Sequence, residues 1–298
     1  MPSRLLLPLA LSSNQAFCTV LFMIRHDFTN VTENGCTLHL WGQRHGGIEL
    51  TEDCYNALFL QYAGYFCTFL SMTRFEKWFT PFIDALLMRD SLPELHVVLD
   101  HEDVNAVLLA NIGTKPVESM LVCSSQSSRT FKRLDNLNIK KLMVAHFDEP
   151  FYEDLFTYYK PNMDVLQSLV VDCEVQVDAM FTMLQKYKLD SIQFFVVLLE
   201  STQPSMPMED TLMDLIKIKN KICNAAFGYG GSEVLVRCIL ESSKEFPIDE
   251  VFQQCVQMLT PEFTVYAEDS KVMCFYEVFD NGKWLSVHAT YFSQLVDF

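Results

Sequence analysis

Along the middle of this chain, hydrophobic positions return in a short strand-like pattern, apolar-x-x-apolar-x-apolar, each time followed by a segment of helical periodicity. The pattern occupies residues 92–97, 117–122, 139–144, 166–171 and 189–194. Its second apolar positions, Leu95, Met120, Leu142, Leu169 and Ile192, lie 25, 22, 27 and 23 residues apart. That spacing suits repeats that each add one strand and one helix to a stack. Such a stack usually offers a surface rather than a reaction centre. The expected fold is therefore α/β: a curved, mostly parallel sheet with helices on one face, led by an irregular α+β N-terminal segment and ended by a C-terminal β-hairpin.

Other segments fill in this outline. Residues 14–25 read as a short helix and residues 36–41 alternate as a strand, with Gly46 and Gly47 separating them from Ile48 to Leu50. Thr73 and Glu76 have capping-box spacing, and Phe75, Trp78, Phe79, Phe82 and Leu86 share one helical face, with a kink or restart expected at Pro81. Glu174 is expected to open a helix whose Val177, Met180, Phe181, Leu184 and Tyr187 form an apolar stripe. Residues 201–207 read as a loop, after which the markers become Ile222 and Phe263, with helical patterns at 232–243 and 249–259. At the end, residues 272–279 and 283–290 flank Asp280-Asn281-Gly282, a strong hairpin signal. The expected divisions are an N-terminal segment, 1–91, a repeat region, 92–270, and a hairpin cap, 271–298.

If the markers point into the core, their neighbours form an outward row: His96, Val98, Leu121, Cys123, Met143, Ala145, Val170, Asp172, Gln193, Phe195, Cys223 and Ala225. This row is unusually apolar for a solvated face. Helices on both sides, the N-terminal segment folded across it, or a partner protein would each account for that. Of these residues, His96, Val98, Leu121, Met143, Val170, Asp172, Gln193 and Phe195 are the candidate binding set on the concave face.

Charge narrows the partners. Twenty-two basic residues against 38 acidic ones give a formal charge of −16, which on average repels a phosphate backbone or an anionic membrane. Nucleic acid is thus not an expected partner, and no apolar run is long enough for a membrane span. The ten cysteines stand singly, without zinc-type pairing, and read as small buried hydrophobes of a cytoplasmic or nuclear protein. The alternative is secretion: Arg4 precedes the apolar run Leu5 to Leu11 as in a weak signal peptide, and Asn30-Val31-Thr32 is a glycosylation acceptor pattern.

Chemical motifs are incomplete. His101-Glu102 starts a zinc-protease pattern, but Asn105 stands where the second histidine belongs. Gly228-Tyr229-Gly230-Gly231 ahead of Ser232 has the look of an anion cradle at a helix start, yet lacks the lysine of a nucleotide loop. The carboxylate clusters at Asp100 to Asp103, Asp148-Glu149 and Glu268-Asp269 read as solvated turns. No cofactor is expected.

Segments such as Leu137 to Val144 and Val165 to Val171 resemble leucine-rich repeats, and more particularly the degenerate repeats of nematode-type F-box and F-box-associated proteins. The likeness covers about residues 92–270 and departs from regular repeats in lacking the strand-closing asparagine: Asp100, Ser125, Phe147, Glu174 and Val197 stand there. Leu5 to Ile24 has a leucine-proline start without a clear F-box helix bundle. The resemblance implies a leucine-rich-repeat-like, non-catalytic protein-protein interaction module, a substrate-recruiting subunit of a ubiquitin ligase with a cullin-ligase adaptor as partner. The rival from the residues alone is an enzyme on a doubly wound sheet, with its site near Asp100, Ser124, His146 and Asp172 at the strand ends.

Overall fold

A computed structural model describes residues 12–42, 46–52, 57–72, 76–98, 109–123, 134–135, 137–145, 159–198, 208–240, 247–260, 262–268 and 271–292. The chain forms two compact units, Met1–Leu166 and Gln167–Phe298. Each is an α/β unit built on a mostly parallel sheet.

In the first unit, helix α1 (Asn14–His26) leads into β1 (Asn30–Asn34), β2 (Thr37–Gly42) and β3 (Gly46–Thr51), paired antiparallel. Helix α2 (Ala57–Phe66), β4 (Phe69–Met72), a 3-10 turn (Lys77–Phe79) and α3 (Thr80–Leu87) follow. The helix expected to kink at Pro81 does restart there: the proline occupies its first turn, where a missing N–H costs nothing. Thr73 and Phe75 lie outside the described residues. Strands β5 (Leu92–Val98), β6 (Pro116–Cys123) and β7 (Asn138–Ala145) then stack in sequence order, all parallel.

The repeat markers lie side by side. Leu95 is the register partner of Met120 and Met120 of Leu142, and all three are fully buried. Each buried side chain of this size contributes roughly 1.5–3 kcal/mol, which makes the spacing in sequence a packing constraint. The ladder begins before residue 92, however. Leu70 on β4 pairs with Leu95, and β4 also runs parallel to β1, with Val31 beside Leu70. The N-terminal segment is thus part of the same sheet, joined to it by β4, a strand of four residues that is too short to carry a periodic signal.

The second unit contains β8 (Ser168–Gln176), α4 (Val177–Lys186), β9 (Ser191–Leu198), α5 (Met208–Gly228), β10 (Glu233–Leu240), α6 (Ile248–Leu259), β11 (Thr264–Glu268), β12 (Lys271–Asp280) and β13 (Lys283–Phe292). Its order is β8-β9-β10-β13-β12-β11. Strands β8, β9, β10 and β13 are parallel, whereas β13, β12 and β11 are antiparallel. Leu169 and Ile192 are register partners, as the markers require.

Four expectations need correction here. Glu174 lies in β8, and α4 starts at Val177, after Gln176 in extended conformation. Ile222 is no strand marker: Met208, Leu212, Leu215, Ile222 and Ala226 are buried at helical spacing along α5, so Cys223 and Ala225 are helical too. Conversely, residues 232–243 hold a strand rather than a helix, because Val234, Val236 and Cys238 are buried at period two. A short apolar run satisfies either period, and β9 and β13 on both sides of β10 decide between them. Phe263 is buried just ahead of the antiparallel strand β11 instead of opening another parallel rung.

The hairpin is as expected. Asp280 faces Lys283 across Asn281 and Gly282, whose φ values of 52° and 77° suit the two positive positions of a type I′ turn.

Candidate functional site

Burial alternates along the described strands. In β1, β2 and β4 the pattern is partly exposed, buried, partly exposed, buried, and Val234, Val236 and Cys238 repeat it in β10. The buried positions share one face of each strand, and in the second unit α5 and α6 lie against that face. On that covered side Cys255 of α6 is hydrogen bonded to Cys274 of β12, and Cys223 of α5 to Tyr276. On the other, more open face most of the described side chains are partly exposed.

Register places the expected binding residues on this open face in two rows. In the first unit His96, Leu121 and Met143 are successive partners on β5, β6 and β7, each partly exposed. His96 is engaged by Glu94 at 3.0 Å and meets the Phe69 ring edge-on, with centroids 4.5 Å apart. Val98 pairs with Cys123 through its backbone, and its side chain lies outside the described residues. In the second unit Val170, Gln193, Leu235 and Ser286 are successive partners on β8, β9, β10 and β13.

Among the described residues three members of the expected outward row are buried. Val170 is 2 % exposed, Ala145 is 3 % exposed, and Cys223, on helix α5, is buried as well. Val170 sits in the continuous buried run Leu169-Val170-Val171, next to the register shift that β8 makes between Val171 and Glu174. Asp172 falls within that shift and is half-buried. Phe195 is partly exposed, and the Arg237 guanidinium stacks over its ring at 4.4 Å. Of the four residues expected at an enzyme's strand ends, Asp100, Ser124 and His146 lie outside the described residues, as do His101, Glu102, Asp103, Asn105, Asp148 and Glu149.

The structure adds residues that sequence reasoning missed. Ser286, His288 and Glu277 form a polar cluster at register positions of this face, with Ser286 itself buried. His288 Nε2 lies 2.6 Å from Ser286 Oγ and 3.3 Å from Glu277 Oε1, while Ser286 Oγ also reaches Glu277 Oε1 at 3.2 Å. A nucleophile relay needs the carboxylate on one ring nitrogen and the hydroxyl on the other. Here both crowd the same nitrogen, so the cluster ties β12 to β13 without activating the serine. Gly228 to Gly231 leads into β10, so no helix start is there to hold an anion. Among the described residues no group of three His, Cys, Asp or Glu side chains is placed to hold a metal ion, and no helix is long and apolar enough to cross a membrane.

Aromatic side chains dominate the remainder of the second unit's open face. Phe279 and Trp284 are register partners, 70 % and 49 % exposed. Phe275 meets the His288 ring at 4.7 Å and the Tyr266 ring at 5.7 Å, and Tyr266 is 53 % exposed. The signal was present in the hairpin: a two-residue turn at Asn281-Gly282 puts Phe279 opposite Trp284.

No family model, no curated protein and no solved structure matches this chain. Its function must be argued from this face.

Proposed function

We propose that the chain is a protein-recognition module without chemistry of its own, whose partner docks on the open sheet face of the second unit. The exposed Phe279–Trp284 pair carries this reading. Each square ångström of apolar surface left in water costs about 25 cal/mol relative to burial, and aromatic rings held side by side on a rigid sheet lose little entropy on docking. Phe195, Leu235 and Phe275 extend the surface, and Glu277, Arg237 and Lys271 lie within or around it, a mixture of apolar and charged groups typical of interfaces.

The resemblance noted above points to a narrower version: a leucine-rich-repeat-like, curved sheet that recruits substrates to a ubiquitin ligase through a cullin-ligase adaptor. In the region where an F-box would stand, α1 is followed by three strands, so the adaptor contact would have to differ from that of a helix bundle.

Both versions are tested by placing a photo-crosslinking residue at Phe279 and, separately, at Met88, which is 78 % exposed in the first unit. The expected result is one discrete cross-linked partner from Phe279 that is missing from Met88. Equal, diffuse labelling from both positions would end the recognition reading. Mixing purified chain with a cullin-ligase adaptor tests the narrower version, and failure to co-elute removes the ligase role while leaving the docking surface standing.

A further inference from the structure

We infer that Glu233, Trp284 and Phe279 form a site for an arginine side chain carried by a basic segment of a partner protein, an inference that rests on reading this open face as a recognition surface. The three residues are lateral neighbours: Glu233 on β10 partners Trp284 on β13, which partners Phe279 on β12. Adjacent strands lie about 4.8 Å apart, so a carboxylate, an indole and a phenyl ring stand in one line across the face.

Glu233 is held in place without being neutralised. Ser191 Oγ donates to its Oε2 at 2.6 Å and Gln193 Nε2 donates to the same oxygen at 3.2 Å. Both are uncharged donors, and no ion pair involves Glu233 among the described residues. A second carboxylate, Glu277, lies two residues from Phe279 on the same strand face and is 51 % exposed.

Cations of the chain itself are engaged elsewhere. Lys283 alternates to the opposite side from Trp284, where its Nζ donates to the Tyr229 carbonyl. Arg237 sits four residues along β10 from Glu233, about 13 Å away, stacked on Phe195. His288 is committed to Ser286 and Glu277.

A preset carboxylate beside an exposed indole suits a guanidinium, whose planar fork bonds the carboxylate while its face lies on the ring. The formal charge of −16 favours a basic segment over an acidic one and speeds its approach. Arg237 on Phe195 is the same pairing of groups, made within the chain.

The probe is a short fluorescent Gly-Ser peptide with spaced arginines, compared by anisotropy at physiological salt with lysine and citrulline versions. Saturable binding of the arginine peptide is expected, several-fold weaker binding of the lysine peptide and none of the citrulline peptide. Glu233→Gln and Trp284→Ala should each weaken binding about ten-fold, Trp284→Phe should weaken it less, and Glu118→Gln, which removes one exposed carboxylate of the first unit, should leave it unchanged. Variants count only if their thermal midpoints match the parent, with Trp284→Phe as the variant least disturbing to folding. Absence of saturable binding, equal binding of the lysine peptide, or equal losses from Glu118→Gln and Glu233→Gln would overturn the proposal. Any of these results alongside a discrete cross-link at Phe279 would leave the recognition surface intact and remove only the arginine site.

Discussion

Tyr229 Oη accepts a hydrogen bond of 3.0 Å from the backbone N–H of Leu189, 40 residues earlier in the chain. The phenol is 1 % exposed, so this bond supplies the partner of a buried donor between α4 and β9. Tyr229→Phe keeps the ring and leaves that N–H unsatisfied. The expected loss is about 1–3 kcal/mol, read from urea unfolding. A midpoint equal to the parent's would mean that the N–H finds another partner.

Gly231 and Gly282 are required for different reasons. A Cβ on Gly231 would lie 1.9 Å from the Leu189 carbonyl oxygen and 2.3 Å from the Tyr229 ring, so backbone must move. Gly231→Ala is expected to cost at least about 3 kcal/mol. Gly282 has open space around its Cβ position but a φ of +77°, so Gly282→Ala should cost about 1–2 kcal/mol through backbone strain alone. Gly228 has neither constraint, and Gly228→Ala serves as the control. Thermal midpoints that rank these three in any other order contradict the account.

The two faces of β6 make opposite predictions for neighbouring residues. Met120 is fully buried beside Leu95 and Leu142, whereas Leu121 is partly exposed between His96 and Met143. Met120→Ala should lower stability by about 2–5 kcal/mol and Leu121→Ala by under about 1 kcal/mol. Chemical denaturation of both variants checks this, and similar costs at both positions would mean that the second face is covered as well.

How far these features were legible in the sequence depended on how many residues carried each signal. The markers Leu95, Met120, Leu142, Leu169 and Ile192 were visible because each belongs to a run of at least six residues and the runs recur. The turn at Asn281-Gly282 was visible because positive φ at two successive positions demands those residues. Strand β4 was too short to read, and β10 was ambiguous in period until its neighbours on both sides were known. The outward row was correct as geometry for His96, Leu121, Met143 and Gln193, and wrong in exposure for Val170, because burial in a sheet depends on lateral neighbours that no local pattern encodes. For the same reason the Glu233–Trp284 pairing was invisible: it joins residues 51 positions apart, and the first of them stood in a segment read as helix.

Cys238 predicts how stability changes in alkali. Its thiol is 1 % exposed, and burial alone pushes its pKa from 9.0 up to about 12. Folding therefore favours the protonated thiol. Below pH 9 both folded and unfolded chains keep the proton and the stabilisation is complete. As pH rises from 9 towards 12 the unfolded chain releases the proton while the folded chain holds it, so stability falls by about 1.4 kcal/mol per pH unit for this thiol. Cys173, pushed to about 12 first by burial and then by Asp172 and Glu174, steepens the decline in the same window. Cys238→Ala should lower stability by a constant amount at pH 8, for the small cavity it leaves, and then flatten the decline between pH 9 and 11 by one thiol's share. Urea midpoints measured across this range under reducing conditions give both quantities, and a variant whose decline is as steep as the parent's would mean that the thiolate is tolerated in the core beneath β10.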